Sequence, residues 1–260
     1  DEGNGRVIAA QWQWTRDPAR WRLAALYAAG ALLLGAIAIG SGGWALWLLW
    51  GSVSLLLVAL AYAAIGAAAF QKRADGRLSV AAQWLFAPYR AGAWINSRAW
   101  TWREPQPVQI ADDVYLGRIP GARELAASPF AAVLDLTAEF AMNAGKRTYV
   151  SLPVLDLTTP SAAQLAQAAA AIERLRARGP VLVCCALGCS RSACAVAAWL
   201  LVSRRAPDVA SALSTMRAAR ARVELGDGHV AALHGLVGAV HELVGTIPAR
   251  PAGVAMPGAE

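Results

Sequence analysis

The sequence predicts an α/β domain built on a central, mostly parallel sheet flanked by helices, preceded by a two-helix transmembrane hairpin. Three observations predict it. A stretch of 48 residues, Leu23 to Phe70, carries no charged side chain. After residue 108, short β-branched runs alternate with helical patterns, the order that gives a parallel sheet. Between these regimes lies a segment rich in tryptophan and arginine, and ten of the eleven tryptophans fall in the first 102 residues.

Composition narrows the classes. The chain is 57% apolar and 16% charged, with mean hydropathy +0.40, against about 25% charged in an ordinary soluble domain. That apolar content excludes disorder as the dominant state. Four cysteines, all between Cys184 and Cys194, cannot staple distant segments, which excludes a disulfide scaffold. The net charge of +7 is almost entirely arginine, Lys72 and Lys146 being the only lysines. It divides between the flanks of the apolar run and one later loop. That distribution argues against a nucleic-acid stripe.

The charge-free run is too long for one membrane span and long enough for two, since a span takes about 20 residues. Gly40-Ser41-Gly42-Gly43 divides it, giving one helix over Leu23–Gly40 and a second over Trp44–Phe70. A secretory signal fits poorly, because a second apolar run follows at once. Arg16, Arg20 and Arg22 precede the first helix, and Lys72, Arg73 and Arg77 follow the second. The positive-inside rule then places both ends, and everything after residue 71, in the cytoplasm. The expected organisation is a juxtamembrane segment at 1–22, a hairpin at 23–71, an interfacial segment and linker at 78–107, a catalytic domain at 108–245 and a flexible tail at 246–260. Trp12, Trp14 and Trp21 before the hairpin, and Trp84, Trp94, Trp100 and Trp102 after it, suit a headgroup layer. The 78–103 segment, broken at Pro88, is expected either to lie in that layer or to pack on the catalytic domain. Asp1 in place of an initiator methionine is expected of a piece of a longer chain.

In the second half, Val114–Gly117, Ala131–Thr137, Val150–Leu155 and Val181–Cys184 read as strands. A helix between the last two is capped by Ser161, with Gln164 three positions on as in a capping box, and stopped by Gly179-Pro180. Further helices are expected at Ser190–Ser203, Asp208–Ala221 and His229–Val244.

The chemistry concentrates where the fourth strand ends. The run Val181-Leu-Val-Cys-Cys-Ala-Leu-Gly-Cys-Ser-Arg-Ser192 is a buried strand, a tight loop and a helix start. Ligands of open α/β sheets bind outside the carboxyl ends of strands. Amides of the loop Ala186, Leu187, Gly188, Cys189, Ser190 and Arg191 would point inward at a helix N-terminus and attract an anion. The same field favours a thiolate at Cys185, and Arg191 offers a planar fork to that anion.

These residues resemble the cysteine-dependent protein-tyrosine phosphatase superfamily, in particular its dual-specificity branch. The family's loop is Cys, five residues, Arg, then Ser or Thr, matched by Cys185, Arg191 and Ser192. Leu152-Pro-Val-Leu-Asp156 resembles the strand leading to the family's general-acid loop, and Ala212–Arg222 its downstream helix and turn. The resemblance spans roughly 108–245. It implies attack by Cys185 to form a phosphocysteine, Arg191 and the loop amides on the phosphate, Asp156 as general acid and Ser192 as a hydrogen-bond partner of the sulfur. It implies no cofactor and no metal. Asp135, in Leu134-Asp-Leu-Thr137, is the alternative acid or else a structural carboxylate. Arg217, Arg220 and Arg222 are expected to be structural or solvated, and His229, His234 and His241 a helix face without catalytic duty. The family usually has His before the nucleophile, and here Cys184 stands there, which is expected to slow the enzyme. Oxidation of Cys185 to a bond with Cys184 or Cys189 is a further expectation.

The neutral loop argues against polyphosphorylated headgroups. Three readings remain: a membrane-anchored phosphatase of phosphotyrosine or phosphothreonine proteins, a phosphatase of a membrane lipid monophosphate such as a phosphatidylglycerophosphate-like ester, and an inactive phosphate-binding or scaffold module. The expected partners are the substrate and the bilayer, with the chain a monomer in the cytoplasmic membrane.

Overall fold

The computed structural model describes residues 18–245; the expectations for Trp12, Trp14, Arg16 and the 246–260 tail lie outside them. Helix α1 spans Pro18–Ser41. It stops at Gly42, whose φ of 61° takes the chain out of the helix. The return helix is less regular than the sequence predicts: a 3-10 turn at Gly43–Trp47, α2 proper over Leu48–Leu60, a π turn at Ala61–Ile65 and a 3-10 turn at Gly66–Phe70. Gly66, at φ 79°, supplies the left-handed step that ends the regular hydrogen-bond ladder. Small residues let the two helices close on each other, with Ser52 donating its hydroxyl proton to the Ala31 carbonyl at 2.7 Å. Ala19–Ser41 and Gly43–Phe70 are each long and apolar enough to cross a bilayer. Much of their surface has no protein cover: Leu32 is 75% and Trp44 88% exposed.

Two helices follow. α3 (Val80–Leu85) is capped by Ser79, whose hydroxyl accepts the Ala82 amide, and α4 (Ala87–Trp100) carries Pro88 in its first turn. A proline there costs no intrahelical bond, so the expected break at Pro88 is realised as a helix start. The 78–103 segment presents two faces. Trp94 meets Phe140 edge-on at 5.5 Å and Ser97 donates to the Ala186 carbonyl at 2.6 Å, while Val80, Trp84, Ile95 and Trp100 stay exposed.

Among the described residues, five strands form one sheet in the order β1 (Val108–Ala111), β2 (Val114–Arg118), β5 (Val181–Cys185), β3 (Ala132–Thr137) and β4 (Thr148–Val154). β1 pairs antiparallel with β2, and the other three pairings are parallel. β1 and the five-residue helix α5 (Ala122–Ala126) were not among the expected elements, each being too short for a period to register. α6 (Ala162–Arg176) starts at the expected capping box, with Ser161 and Gln164 bonding reciprocally. α7 (Arg191–Val202), α8 (Val209–Ala219) and α9 (Asp227–Gly245) complete the domain.

A parallel sheet needs cover on both faces. Leu134, Val181 and Val183 face a core built with α6 and α7, including the fully buried Trp199. Val133, Leu182 and Cys184 face a second core of Phe130, Phe140 and Met142, against which Trp94 of α4 packs. A third cluster joins the hairpin to the domain, with Val58, Tyr62 and Phe70 against Ala138 and Leu155. The segment ahead of β1 therefore supplies one wall of the domain and bears on the loops that carry the site.

Candidate active site

Arg118 and Cys185 end the paired stretch of β2 and β5, and the chain then turns through Ala186–Ser190 into α7. Gly188 makes the turn possible. Its φ is +74°, and a Cβ there would lie 2.4 Å from the Gly117 carbonyl carbon, so no other residue fits. The turn folds back over the sulfur: the Gly188 amide donates to Cys185 Sγ at 3.3 Å, and the Ser192 hydroxyl donates to it at 3.1 Å. Both bonds place a proton donor on the sulfur. The side chain lies at the N-terminal end of the twelve-residue α7.

Arg191 is buried to 1% exposure and held by a carboxylate fork. Its Nη2 donates to Glu139 Oε1 at 2.9 Å, and its Nη1 donates to Glu139 Oε2 at 3.1 Å and to the Val154 carbonyl at 2.8 Å. Nη2 also pairs with Asp156 Oδ1 at 2.9 Å. Arg191 Nε is buried and has no partner. A buried guanidinium N–H left unpaired is costly, and an anion seated in the loop would satisfy it.

Asp156 lies just beyond β4, and its side chain is 35% exposed on a cavity of about 430 Å³ lined also by Glu139, Ala186 and Leu187. Burial and the neighbouring Glu139 charge push its carboxyl above the usual range, and Arg191 pulls the other way. The net rise favours a protonated carboxyl, as a proton donor requires. The Tyr62 hydroxyl donates to the Asp156 carbonyl at 2.8 Å, so the hairpin itself fixes this loop.

The structure thus brings Cys185, Arg191, Ser192 and Asp156 together, and it adds Glu139, which the sequence reading did not single out. Glu139 is the only acidic residue between Asp135 and Asp156, and it follows the carboxyl end of a strand beside β5. That placement was the available signal. Asp135 does not reach the cavity. It is fully buried and paired with Lys72 at 2.6 Å, and it accepts the Tyr149 hydroxyl at 2.9 Å and the Thr137 amide at 2.8 Å. Lys72, one of the cations that follow the hairpin, is a buried cross-link. It also donates to the Thr137 carbonyl at 2.7 Å. Burial against Asp135 raises the Tyr149 hydroxyl well above its ordinary value, so it stays a neutral donor. Burial likewise raises the Cys184 thiol. Of Arg217, Arg220 and Arg222, Arg220 is buried and spans the Glu104, Gln106 and Leu187 carbonyls, and Arg222 donates to the Trp100 carbonyl. Both tie the 100–107 segment down. His229 Nε2 lies 3.0 Å from Ser190 Oγ, at the rim of the loop.

Residues 114–236 match the family model for the dual specificity phosphatase catalytic domain. The chain is similar to the crystal structure of Tk-PTP in the active form, with 28% identity over 52% of this chain and 98% of that one and a TM-score of 0.48. For human DUSP28 the values are 27%, 52%, 99% and 0.47. For PTPMT1 in complex with PI(5)P they are 19%, 52%, 97% and 0.47. A search of curated proteins returned no match. The match to the dual specificity phosphatase catalytic domain thus covers just under half of the chain and includes Cys185, Arg191 and Ser192.

Proposed function

We propose that the chain is a membrane-anchored phosphatase that hydrolyses phosphate monoesters through a phosphocysteine at Cys185. The observation that carries it is the sulfur held by the Gly188 amide and the Ser192 hydroxyl, beside a buried Arg191 whose Nε lacks a partner. The Cys185 thiolate attacks phosphorus, forming the S–P bond as the ester P–O bond breaks. Asp156 gives its proton to the leaving oxygen. The loop amides and the Arg191 Nε and Nη2 groups hold the equatorial oxygens, and occupation of Nη2 releases Asp156 toward the leaving group. Asp156, now a carboxylate, takes a proton from water as the water oxygen attacks phosphorus. The S–P bond breaks, the thiolate is restored and inorganic phosphate leaves. Glu139 holds the guanidinium in register throughout.

The anchor is the hairpin. Many of its leucines and tryptophans have no protein cover, Leu32 and Trp44 among them, and Trp21, Trp84, Trp100 and Trp102, each more than 60% exposed, suit the headgroup layer. Both hairpin ends lie with the catalytic domain, on the cytoplasmic face of the membrane. Phosphotyrosine and phosphothreonine proteins are the substrates to which the family resemblance points, and lipid phosphates are the other class the site could serve.

The test is hydrolysis of para-nitrophenyl phosphate by the full chain in detergent, under reducing conditions, with Cys185→Ser beside it. Turnover in the wild type that falls to background in Cys185→Ser supports the reading. A folded wild type without turnover would leave a phosphate-binding module instead.

A further inference from the structure

The cavity at the site does not end at the site. From Asp156 and Ala186 it runs along the hairpin, with Tyr27 at the near end and Leu34, Gly51 and Leu55 at the far end, and α4 forming the opposite wall. Tyr27 and Leu34 are two turns apart on α1, so the groove climbs about 10 Å along the apolar helices. Its lining changes on the way. The near end holds Glu139, Asp156, Asn96 and Ser97, and the far end is aliphatic. Gly92 and Ala93 keep the α4 wall low, and a Cβ at Gly92 would meet nothing within 4 Å.

Taking the phosphatase reading above as given, we propose that the substrate is a lipid phosphate monoester whose hydrocarbon chain lies in this groove while its phosphate sits in the Cys185–Ser192 loop. The cavity has a polar end at Asp156, Ala186 and Leu187, which adjoins the phosphate loop, and an aliphatic end along the hairpin, an arrangement that matches an amphiphile. Its volume of about 430 Å³ is within the usual range for small-molecule sites. The loop residues Ala186, Leu187, Cys189 and Ser190 are uncharged, so Arg191 and the helix end compensate a single phosphate. The headgroup is therefore a simple monoester without additional phosphates. A phosphoprotein gains nothing from a groove directed along the hairpin toward its turn. After hydrolysis the lipid alcohol stays in the bilayer and phosphate leaves on the domain side.

The experiment uses the full chain in phosphatidylcholine vesicles and compares three probes: dioleoyl phosphatidate, dibutyryl phosphatidate and para-nitrophenyl phosphate. Gly92→Trp fills the groove from α4, and Gly51→Leu narrows it from the hairpin; neither residue belongs to the catalytic machinery. The expected result is a kcat/KM for the dioleoyl lipid at least about tenfold above the dibutyryl one, from the added apolar contact. Either variant should lose about tenfold on the long lipid and keep its rate on para-nitrophenyl phosphate within about twofold. Equal rates on long and short chains, variants that leave the long lipid unaffected, or a phosphotyrosine peptide turned over faster than the lipid would overturn the proposal while leaving the phosphatase reading intact. Absence of para-nitrophenyl phosphate turnover in the wild type would remove both.

Discussion

Two buried ion-pair clusters lie near the carboxyl end of β3 and differ in one respect. In the first, Lys72 and Asp135 are 1% and 0% exposed, and the groups around them close a complete set of bonds. Lys72 reaches Asp135 and both oxygens of Thr137, while Asp135 accepts Thr137 and Tyr149. In the second, Arg191 is equally buried, but its Nε is unpaired and one of its carboxylates, Asp156, opens onto a cavity. A satisfied cluster holds structure, because any change leaves a buried charge alone. An unsatisfied one is arranged for something that arrives. Under the proposed function, the contrast puts Lys72–Asp135 in the architecture and Arg191–Glu139–Asp156 in the chemistry.

The largest effect that would break this comparison is on the closed cluster. Lys72→Met leaves Asp135 uncompensated and should destabilise the chain by about 3–5 kcal/mol, read as a fall in melting temperature. The Lys72→Met, Asp135→Asn pair should recover part of the loss. Indifference to Lys72→Met would make that cluster no more structural than the open one.

The next effect lies in the open cluster. Asp156→Asn should lower kcat/KM by about a hundredfold and change the pH profile. In the proposed mechanism the raised Asp156 carboxyl acts protonated, so activity should fall as pH rises through its folded value. Asparagine does not titrate, so the alkaline limb should disappear. An unchanged limb would assign the proton to another group.

Glu139→Gln sharpens the assignment. It keeps hydrogen-bonding atoms near Arg191 but removes a charge that raises the Asp156 carboxyl. The alkaline limb should move to lower pH, with a loss of about tenfold in kcat/KM as Arg191 loses its fork. Loss of activity without movement of the limb would leave Glu139 a support only.

The smallest effect is at the surface. Glu173 binds Arg176 and the Trp199 indole N–H, and its carboxyl is held down to about 2. A depressed carboxylate stabilises the fold above its unfolded value, and that contribution is lost as pH falls through the folded one. Glu173→Gln should therefore flatten the acid limb of the stability curve. Since its side chain is 48% exposed, the change at neutral pH should be about 1 kcal/mol or less.

What the sequence made legible was local. Cys185, Arg191 and Ser192 lie within eight residues, so one loop carries their chemistry. Ser161 and Gln164 mark the start of α6 by a bond between near neighbours, and the hairpin is written in a run without charge. What escaped depends on contacts distant in sequence. Glu139 meets Arg191 across 52 positions, and Lys72 meets Asp135 across 63. Beside an apolar run, a lysine that dips into the domain has the same sequence signature as one that faces lipid headgroups. The irregular end of the second hairpin helix escaped because Gly66 has the composition of a membrane helix residue and the backbone of a turn.

The measurement that bears most directly on the central claim is acid quench of the full chain during turnover of para-nitrophenyl phosphate, followed by peptide mass spectrometry. The account predicts a phosphate adduct on the peptide containing Cys185, borne by that residue and absent from Cys185→Ser. Turnover that survives Cys185→Ser, or phosphate carried by a different residue, would contradict it.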